Sequence, residues 1–203
     1  MSAEFIARRR TGLSKILGIA FIAVYIFSEK RLGAVFPVLE DAMVVAGCLL
    51  VGVATVGRLW CAQYIAGYKL DRLITEGPYS VCRNPLYFFS FLGSVGVALF
   101  TESLVLTVVV VAVFAAIYPA TIKREERLLL GAFGRDYERY LAAVPRFVPD
   151  PSLFHEPGEY VVNTKIFRRE ALDATAFAGI VGFFQLVEML GSYGIVTPYF
   201  TLY

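Results

Sequence analysis

Two polar clusters interrupt the long apolar stretches of this 203-residue sequence, and each carries groups that could bind a charged ligand. The first is EGPYSVCRNPLYFF, residues 76–89. Gly77 and Pro78 predict a turn, and Asn84 followed by Pro85 predicts a helix start with an asparagine cap. Such a turn and helix start expose backbone N–H groups and a partial positive charge, which favour an anion such as a carboxylate. A loop that ends in a capped helix, with its arginine as an interfacial anchor, would explain the same residues.

The second cluster is the adjacent pair Glu125 and Glu126, which follows an apolar run. Carboxylates at the edge of the hydrocarbon are costly unless they are solvated or paired. They could hold a cationic group such as an ammonium, or they could pair with their basic neighbours Lys123, Arg124 and Arg127. If the two clusters face each other, an anion-binding helix start and a carboxylate pair suit a zwitterion, namely an amino acid head group.

The segments around these clusters have the composition of a membrane protein. Hydrophobic residues make up 58% of the chain, charged residues 18%, and mean hydropathy is +0.65, whereas soluble domains are about half apolar and about one quarter charged. The apolar runs approach the ~20 residues that cross a bilayer core, and in lipid an isolated segment satisfies its backbone only as a helix. We expect an all-α, polytopic membrane bundle of about five transmembrane helices, over residues 13–27, 42–66, 86–100, 103–122 and 174–190.

Basic residues orient these helices, because cytoplasmic segments carry the excess of lysine and arginine. With a cytoplasmic N-terminus, the outside loops hold only Lys30 and Arg31. Arg8, Arg9 and Arg10 precede the first apolar run without an A-x-A cleavage pattern, so we expect this run to remain as an uncleaved span. The sequence thus predicts an integral membrane protein with its N-terminus and both polar clusters in the cytoplasm and its C-terminus outside.

Only two residues separate the third and fourth spans, which predicts a tight antiparallel hairpin. The hairpin would bring the polar segments 67–85 and 123–170 together on the cytoplasmic side. The second segment should continue the fourth span as an amphipathic helix, and Gly131 and Gly134 predict a kink or break in it. Its apolar stripe recurs every four residues, at Leu129, Phe133, Tyr137 and Leu141.

The two clusters resemble the isoprenylcysteine carboxyl methyltransferase and phospholipid methyltransferase superfamily. The similarity is carried by LITEGPYSVCRNPLY, a membrane hairpin and REERLLLGAFGRDYERYLAAVPRFVP, and it covers residues 64–149. The usual family pattern is a leucine-valine-threonine run, Gly-x-Tyr and Arg-His-Pro-x-Tyr, then a Glu-Glu pair and Phe-Gly-x-x-Tyr. The resemblance implies an integral membrane methyltransferase that transfers a methyl group from S-adenosylmethionine (SAM) to a lipid-like or thioether-bearing acceptor. It implies no Rossmann domain, and the sequence contains no G-x-G-x-x-G fingerprint.

Carried over residue by residue, the resemblance gives roles to both clusters. Glu125, with Glu126 beside it, should hold the amino group of the methionine part of SAM. Arg83 should steady a carboxylate, so that Arg83 and Glu125 are the candidate catalytic residues. The implied cofactor pocket, on the cytoplasmic side, comprises Leu73, Ile74, Gly77, Tyr79, Asn84, Pro85, Leu86, Tyr87, Glu125 and Glu126.

The sequence departs from the family pattern at several positions. Asn84 stands where many members have histidine, which removes a titratable group but keeps a helix cap. Asp71 stands where a histidine often begins the threonine-containing run. Phe88 and Phe89 stand where small residues are common, and they could narrow the cavity and alter the acceptor.

Other charged and ligating residues support no further site. A net charge of +2 gives no reason to expect nucleic acid. The three cysteines show no metal-ligand spacing, their odd number leaves no closed disulfide set, and His155 is the single histidine, so we expect no metal. Arg58 lies within the second span. It could neutralise a carboxylate of the acceptor or cofactor, but the favoured interpretation is that it extends to the interface beside Trp60 and Tyr64.

Two other functions stay open on the sequence alone. A membrane reductase that uses NADPH on a sterol-like lipid would share the carboxy-terminal architecture, but its doubly phosphorylated ligand would need more basic residues than the inter-helix loop offers. A non-enzymatic membrane scaffold would keep only the hairpin. On the methyltransferase interpretation the chain divides into N-terminal transmembrane helices, a methyltransferase core, and a C-terminal segment with the fifth helix, over residues 1–66, 67–150 and 151–203.

Overall fold

The structure is a computed structural model that describes residues 18–30, 32–66, 72–195 and 200–202. Most of these residues are helical. Lys69, Asp71, residues 13–17 of the first expected span and the three arginines at 8–10 fall outside the described residues. In chain order the elements are α1 (Gly18–Phe27), β1 (Ser28–Lys30), α2 (Leu32–Val35), α3 (Pro37–Ile65), α4 (Pro78–Val81), α5 (Pro85–Phe100), α6 (Leu104–Phe133), α7 (Arg135–Ala143), a 3-10 turn (Pro151–Leu153), α8 (Thr164–Ser192) and β2 (Phe200–Leu202).

Five apolar helices form a bundle, and each overlaps one of the expected spans. The helices α3, α6 and α8 are long and apolar enough to cross a membrane, whereas α1 and α5 are apolar but shorter. With 16 residues, α5 is about 24 Å long at 1.5 Å per residue. The expected all-α membrane bundle is therefore confirmed.

The fifth apolar helix is longer than the sequence predicts, because α8 begins at Thr164 rather than at residue 174. Its start is capped by Asn163, whose Oδ1 accepts a hydrogen bond from the backbone N–H of Ile166 at 3.2 Å. The added turns contain Lys165, Arg168 and Arg169. Because of these charges, a search for apolar runs alone does not detect the first turns of α8.

Two glycines allow α3 and α5 to pack closely along their length. A Cβ atom on Gly96 would lie 2.8 Å from the carbonyl oxygen of Gly47, and a Cβ atom on Gly47 would lie 2.7 Å from the carbonyl oxygen of Gly96. Small residues let membrane helices approach until their backbones touch. This contact fixes the N-terminal half of α3 against the C-terminal half of α5, and hence the position of the start of α5 beside the end of α3.

The predicted hairpin between α5 and α6 is present. The turn contains Glu102 at φ 59°, and Ser103 caps α6 by accepting a hydrogen bond from the N–H of Leu106 at 3.3 Å. Because the helices run antiparallel, the ring of Phe91 on α5 lies 4.8 Å from that of Phe114 on α6. The same geometry places the start of α5 beside the stretch of α6 that contains Tyr118 and Glu125.

The break predicted near Gly131 and Gly134 occurs at Gly134. The helix α6 continues through Gly131 to Phe133, and α7 follows a Gly134 with φ 51°. Tyr137 and Tyr140 of α7 are buried. The amphipathic segment therefore turns back toward the bundle.

The opposite end of the bundle carries a short two-stranded pairing between the segment after α1 and the segment after α8. Strand β1 pairs in parallel with β2, and Ser28 stands opposite Phe200. Nearby, the rings of Tyr25 on α1 and Phe184 on α8 stack with centroids 4.2 Å apart. This end lies a full length of α3 away from the polar clusters.

Candidate active site

The loop between α3 and α5 is fixed by backbone hydrogen bonds to the segment that follows α7. The N–H of Gly77 donates to the carbonyl of His155, the N–H of Arg83 to that of Pro145, and the N–H of Asp150 to the carbonyl of Val81, each at 2.9 Å. Residues 144–156 therefore close over residues 77–83. This closure joins parts of the chain more than sixty residues apart, such as Arg83 and Pro145.

Gly77 is required by both its conformation and its surroundings. Its φ is +58°, and an added Cβ would lie 2.4 Å from Cζ of Tyr64. The Tyr64 hydroxyl in turn donates to Glu156 at 3.2 Å. The turn that the sequence predicts at Gly77 is present and begins the short helix α4.

Asn84 stands at the N-cap position of α5, with Pro85 first in the helix, but its side chain does not cap the helix. The amide Nδ2 instead donates to the carbonyl of Arg146 at 2.9 Å. The expectation of an asparagine side-chain cap is therefore wrong, because the segment after α7 supplies an acceptor that engages this amide. Asn84 thus connects α5 to residue 146.

Glu126 is held by two arginines from distant parts of the chain. Nη2 of Arg83 lies 3.2 Å from Oε1 of Glu126, and Nη2 of Arg146 lies 2.9 Å from Oε2. The Glu126 side chain is only 9% exposed. The alternative in which this carboxylate pairs with basic neighbours on α6 is wrong, because the α6–α7 break turns Arg146 back onto it.

Arg83 has a second contact that fixes its orientation. Its Nη1 donates to the carbonyl of Leu141 at 2.6 Å, while its Nε is buried without a hydrogen-bond partner among the described residues. The guanidinium is therefore anchored on two sides and retains one donor that no described protein group satisfies.

Glu125 meets the first cluster through Tyr87. The Tyr87 hydroxyl donates to Oε1 of Glu125 at 2.7 Å. The Tyr87 ring also packs edge-on against Tyr118 of α6, with centroids 5.4 Å apart. The helix start of the first cluster and the carboxylate pair of the second are thus in direct contact, as the hairpin predicts.

Tyr79 lies on the other side of the start of α5, in a cluster with Cys61, Tyr64 and Ile74. Its backbone carbonyl accepts a hydrogen bond from the Tyr140 hydroxyl at 2.6 Å. Its own hydroxyl is buried and has no hydrogen-bond partner among the described residues. Burial raises the pKa of Tyr79 well above its usual value, so the group is a neutral phenol.

The expected pocket residues therefore form two groups. Ile74, Gly77, Tyr79 and Leu86 pack at the end of α3. The second group lies where α5 meets α6 and consists of Tyr87 on α5 with Glu125 and the arginine-bound Glu126 on α6. Pro85, fully buried, lies between the groups, and Leu73 is partly buried in the loop before α4. That one ligand spans both groups stays a prediction.

Sequence reasoning missed three contributors, namely Arg146, Tyr118 and Tyr140. Arg146 enters the sequence analysis only as part of the cytoplasmic segment 123–170, although it lies in the AAVPRFVP stretch that belongs to the family resemblance. That stretch was the available signal, because residues 145–147 supply the carbonyls that Arg83, Asn84 and Cys82 contact. No sequence pattern marked the two tyrosines.

Three cavities flank this region, one of which, of ≈ 360 Å³, is lined by Glu126 and Arg146. A groove of ≈ 700 Å³ lies beside Arg83 and Arg146 along residues 141–153. An apolar cavity of ≈ 380 Å³ lies between α1, α5, α6 and α8, and its lining includes Ser94, Tyr118 and Phe177. Tyr118 both lines the apolar cavity and contacts Tyr87. The polar cluster and the apolar cavity therefore share one aromatic wall.

Comparison with known proteins assigns the family. The model of the phospholipid methyltransferase family matches residues 42–136. The chain belongs to this family. It is also 35% identical over 199 residues to the cobalt-zinc-cadmium resistance protein CzcN of Cupriavidus metallidurans, covering 98% of this chain and 91% of that protein. It is 36% identical over 186 residues to the nickel-cobalt-cadmium resistance protein NccN of Alcaligenes xylosoxydans xylosoxydans, covering 92% and 86%. No solved structure matches the chain.

The phospholipid methyltransferase match spans both clusters but ends before the segment that closes them. Tyr79, Arg83, Tyr87 and Glu125 lie within residues 42–136, whereas Arg146 follows them. The similarity to CzcN extends over nearly the whole chain. Within the described residues, no group of three His, Cys, Asp or Glu side chains is arranged to hold a metal ion.

Proposed function

We propose that the chain is an integral membrane methyltransferase that transfers a methyl group from SAM to a lipid-like acceptor. The observation that carries this proposal is the Tyr87–Glu125 hydrogen bond at 2.7 Å. It joins the helix start and the carboxylate pair, the two motifs that recur in the family, at one end of a membrane bundle. The Arg83–Glu126 ion pair beside it supports the same assignment.

The donor site has features that fit SAM. A carboxylate at position 125 suits the ammonium of the methionine part. The partial positive charge at the start of α5 suits its carboxylate, although the N–H groups of Asn84, Tyr87 and Phe88 already donate within the chain. The buried hydroxyl of Tyr79 and the buried Nε of Arg83 have no described partner, and buried donors of this kind usually find one. We assign them to polar groups of the donor, and we assign Leu73, Ile74, Pro85 and Leu86 to its apolar contacts.

The two glutamates have different proposed roles. Both oxygens of Glu126 are engaged by Arg83 and Arg146, so this residue ties α6 to the loop before α5 and to the segment after α7. Glu125 accepts a hydrogen bond from the Tyr87 hydroxyl at 2.7 Å, which puts its carboxylate beside the start of α5, where the resemblance expects the methionine part of SAM. We therefore keep Glu125 as the ligand for the donor amino group and make Glu126 a positioning residue.

In methyl transfer from SAM, the main task of the protein is to position the two reactants. The sulfonium of bound SAM supplies a methyl group that is already activated for in-line displacement. Arg83, Tyr87 and Glu125 would orient the donor, and the closure of residues 144–156 over the loop would exclude water, which are the main sources of acceleration in such a reaction. A carboxylate acceptor needs no base, whereas an amine or thiol must lose a proton.

A lipid-like acceptor fits the surroundings of the site. The ≈ 380 Å³ cavity is lined mainly by aliphatic and aromatic side chains of the membrane helices and adjoins Tyr118. Phe88, at a position where small residues are common in the family, packs against Phe147 with ring centroids 5.7 Å apart. These rings make an apolar wall beside the polar cluster, which suits a chain-bearing acceptor.

The relatives suggest a physiological setting. CzcN and NccN are named as metal-resistance proteins, and we propose that this chain serves metal resistance through its methyl transfer. A strain that depends on this chain for growth in cobalt, zinc, cadmium or nickel should lose resistance with Glu125→Ala. Full resistance with a variant that no longer transfers methyl groups would separate the two functions.

Titration calorimetry with the purified chain in detergent tests the enzymatic proposal. Wild type should bind SAM, and Glu125→Ala should bind it more weakly by about 1.5–3 kcal/mol, the range for a hydrogen bond to a charged group. The matched control is Glu138→Ala, which removes an exposed carboxylate of α7. Methyl transfer should then be measured with prenylcysteine, amine-headed lipid and small thiol acceptors.

The same titration separates the other functions. Binding of NADPH in place of SAM would support the membrane reductase, and binding of neither would support a scaffold. Wild-type SAM affinity in folded Glu125→Ala would remove this residue from the donor site.

A further inference from the structure

Arg58 is a cation placed inside the membrane bundle. It lies seven residues before the end of α3, which corresponds to about 10 Å along the helix. The expected extension of its side chain to the interface is wrong, because Nη1 donates to Oγ of Ser90 on α5. The guanidinium also lies over the ring of Phe177 on α8, 5.7 Å from its centroid. Three helices thus surround this charge.

The described residues provide this cation with no counter-ion. None of the ion pairs among them includes Arg58, and its Nε is buried without a hydrogen-bond partner. Ser90 accepts from the guanidinium while its own hydroxyl donates to the carbonyl of Leu86 at 2.6 Å. The contacts of Arg58 are therefore a neutral hydroxyl and an aromatic face.

A membrane-embedded arginine without an anion is expensive and is usually functional. Its planar fork of N–H donors matches the two oxygens of a carboxylate or phosphate. These donors define the chemistry of a fitting partner. Only a hydrogen-bond acceptor with a negative charge would both satisfy Nε and offset the positive charge of the guanidinium.

Arg58 is close to both the polar cluster and the apolar cavity. Ser90 follows Tyr87 by three residues on α5, a rise of about 4.5 Å, so the cation lies one turn deeper than the Tyr87–Glu125 pair. Phe177 lies under the guanidinium and also lines the ≈ 380 Å³ cavity. Ser94, another lining residue, donates to the carbonyl of Ser90 at 2.8 Å.

We propose that Arg58, positioned by Ser90, binds the oxyanion of the acceptor head group, a carboxylate or a phosphate, while the acyl chain of the acceptor occupies the apolar cavity. The proposal rests on the proposed methyltransferase function, which makes the bound amphiphile the methyl acceptor. Binding of that amphiphile does not itself require methyl transfer. It makes Arg58 the residue that selects acidic amphiphiles over neutral ones.

The experiment measures binding without SAM, so that it stands apart from the test of methyl transfer. Trp60 is the single tryptophan and lies two residues from Arg58, which makes it a native fluorophore. Quenching of Trp60 by 5-doxyl-stearate and by its methyl ester compares two probes that differ only in the acid group. Displacement of 5-doxyl-stearate by palmitate, hexadecyl phosphate or hexadecanol then tells a carboxylate site from a phosphate site.

Wild type should prefer the acid to its methyl ester by about 10- to 100-fold, the span of a charge-assisted hydrogen bond. Arg58→Gln should abolish that preference and leave SAM affinity within about twofold, since Arg58 is not among the residues proposed to hold the donor. Arg58→Lys should keep part of the preference, because it keeps the charge but not the fork. The matched control is Arg139→Gln, which removes a 78% exposed arginine of α7.

The proposal would be overturned if wild type bound the acid and the ester equally. It would also be overturned if Arg58→Gln kept the preference for the acid. A large loss of SAM affinity in Arg58→Gln would assign the cation to the donor. A purely structural arginine would lower the affinities for acid and ester together. If Arg58→Gln does not fold, the same comparison is made with Ser90→Ala, which should lower affinity for the acid more than for the ester.

Discussion

At the residue scale, some buried polar groups of the site have ion-pair or hydrogen-bond partners, whereas others have none among the described residues. Glu126 is bound by Arg83 and Arg146, whereas the Tyr79 hydroxyl and Nε of Arg83 are buried without a described partner. A buried donor that lacks a partner carries a cost of about 1–3 kcal/mol. Proteins that keep such donors in a site usually complete them with a ligand, so these two atoms are sensitive reporters of the proposed donor.

Removal of the Tyr79 hydroxyl should affect the stability of the ligand-free protein and the binding of SAM differently. Tyr79→Phe should leave the melting temperature of the ligand-free protein unchanged or higher, because it removes an unsatisfied buried group. It should weaken SAM binding by about 0.5–1.5 kcal/mol, the net value of a neutral hydrogen bond.

Tyr140→Phe is the contrasting variant for that measurement. It removes the donor to the Tyr79 carbonyl at 2.6 Å, so it should lower the melting temperature. Equal destabilisation by the two variants, with unchanged SAM affinity in Tyr79→Phe, would show that the Tyr79 hydroxyl serves packing alone.

Cys82 predicts a specific dependence on pH. Burial raises the pKa of its thiol from 9.0 to about 11, against the smaller lowering effects of the Asn84 N–H and Arg83. Because the folded thiol holds its proton more tightly than the unfolded one, its contribution to stability is complete below pH 9.0 and is lost as the pH rises toward 11.

Thiolate absorbance at 240 nm measures this pKa in the folded protein, as the difference between wild type and Cys82→Ser. The difference should appear with a midpoint near pH 11 in the folded protein and near 9.0 in denaturant. A midpoint near 9.0 in the folded protein would contradict the burial of Cys82.

At the element scale, the sequence predicts where the apolar helices lie, but only some of the contacts between elements. The apolar runs identified all five helices, the two-residue link identified the hairpin, and Gly134 identified the break, because each depends on local composition. The pairing of Arg146 with Glu126 and the use of the Asn84 amide by residue 146 depend on where α7 returns. A distant segment competed for these groups, and no local pattern encodes that competition.

The close approach of α3 and α5 is open to direct test. Gly96→Ala would put a Cβ 2.8 Å from the Gly47 carbonyl and 3.0 Å from Leu50 and Val51, and we expect it to destabilise the bundle by about 1–3 kcal/mol, as overpacking does. Gly52→Ala on α3 is the control, because nothing lies within 4 Å of its added Cβ. Thermal unfolding in detergent should separate the two variants, and equal stability would mean that the helices pack differently.

At the scale of the whole molecule, the bundle has two chemically distinct ends. The site end carries the basic residues of α6, α7 and the start of α8, whereas the other end carries the β1–β2 pairing and the acidic residues Glu40 and Asp41 at the start of α3. Cytoplasmic ends of membrane helices carry the excess of lysine and arginine. We therefore expect the site end in the cytoplasm, where SAM is made, and the β1–β2 end outside.

Cysteine labelling tests this orientation in a variant whose three native cysteines are replaced by alanine. Val35→Cys reports the β1–β2 end and Glu159→Cys the site end, since both positions are exposed. A membrane-impermeant maleimide should label Val35→Cys in intact cells and Glu159→Cys in inverted vesicles. The reverse pattern would place the proposed donor site on the wrong side for SAM, and labelling of both positions from one side would contradict the crossing by α3. A C-terminal epitope should follow Val35, because β2 pairs with β1.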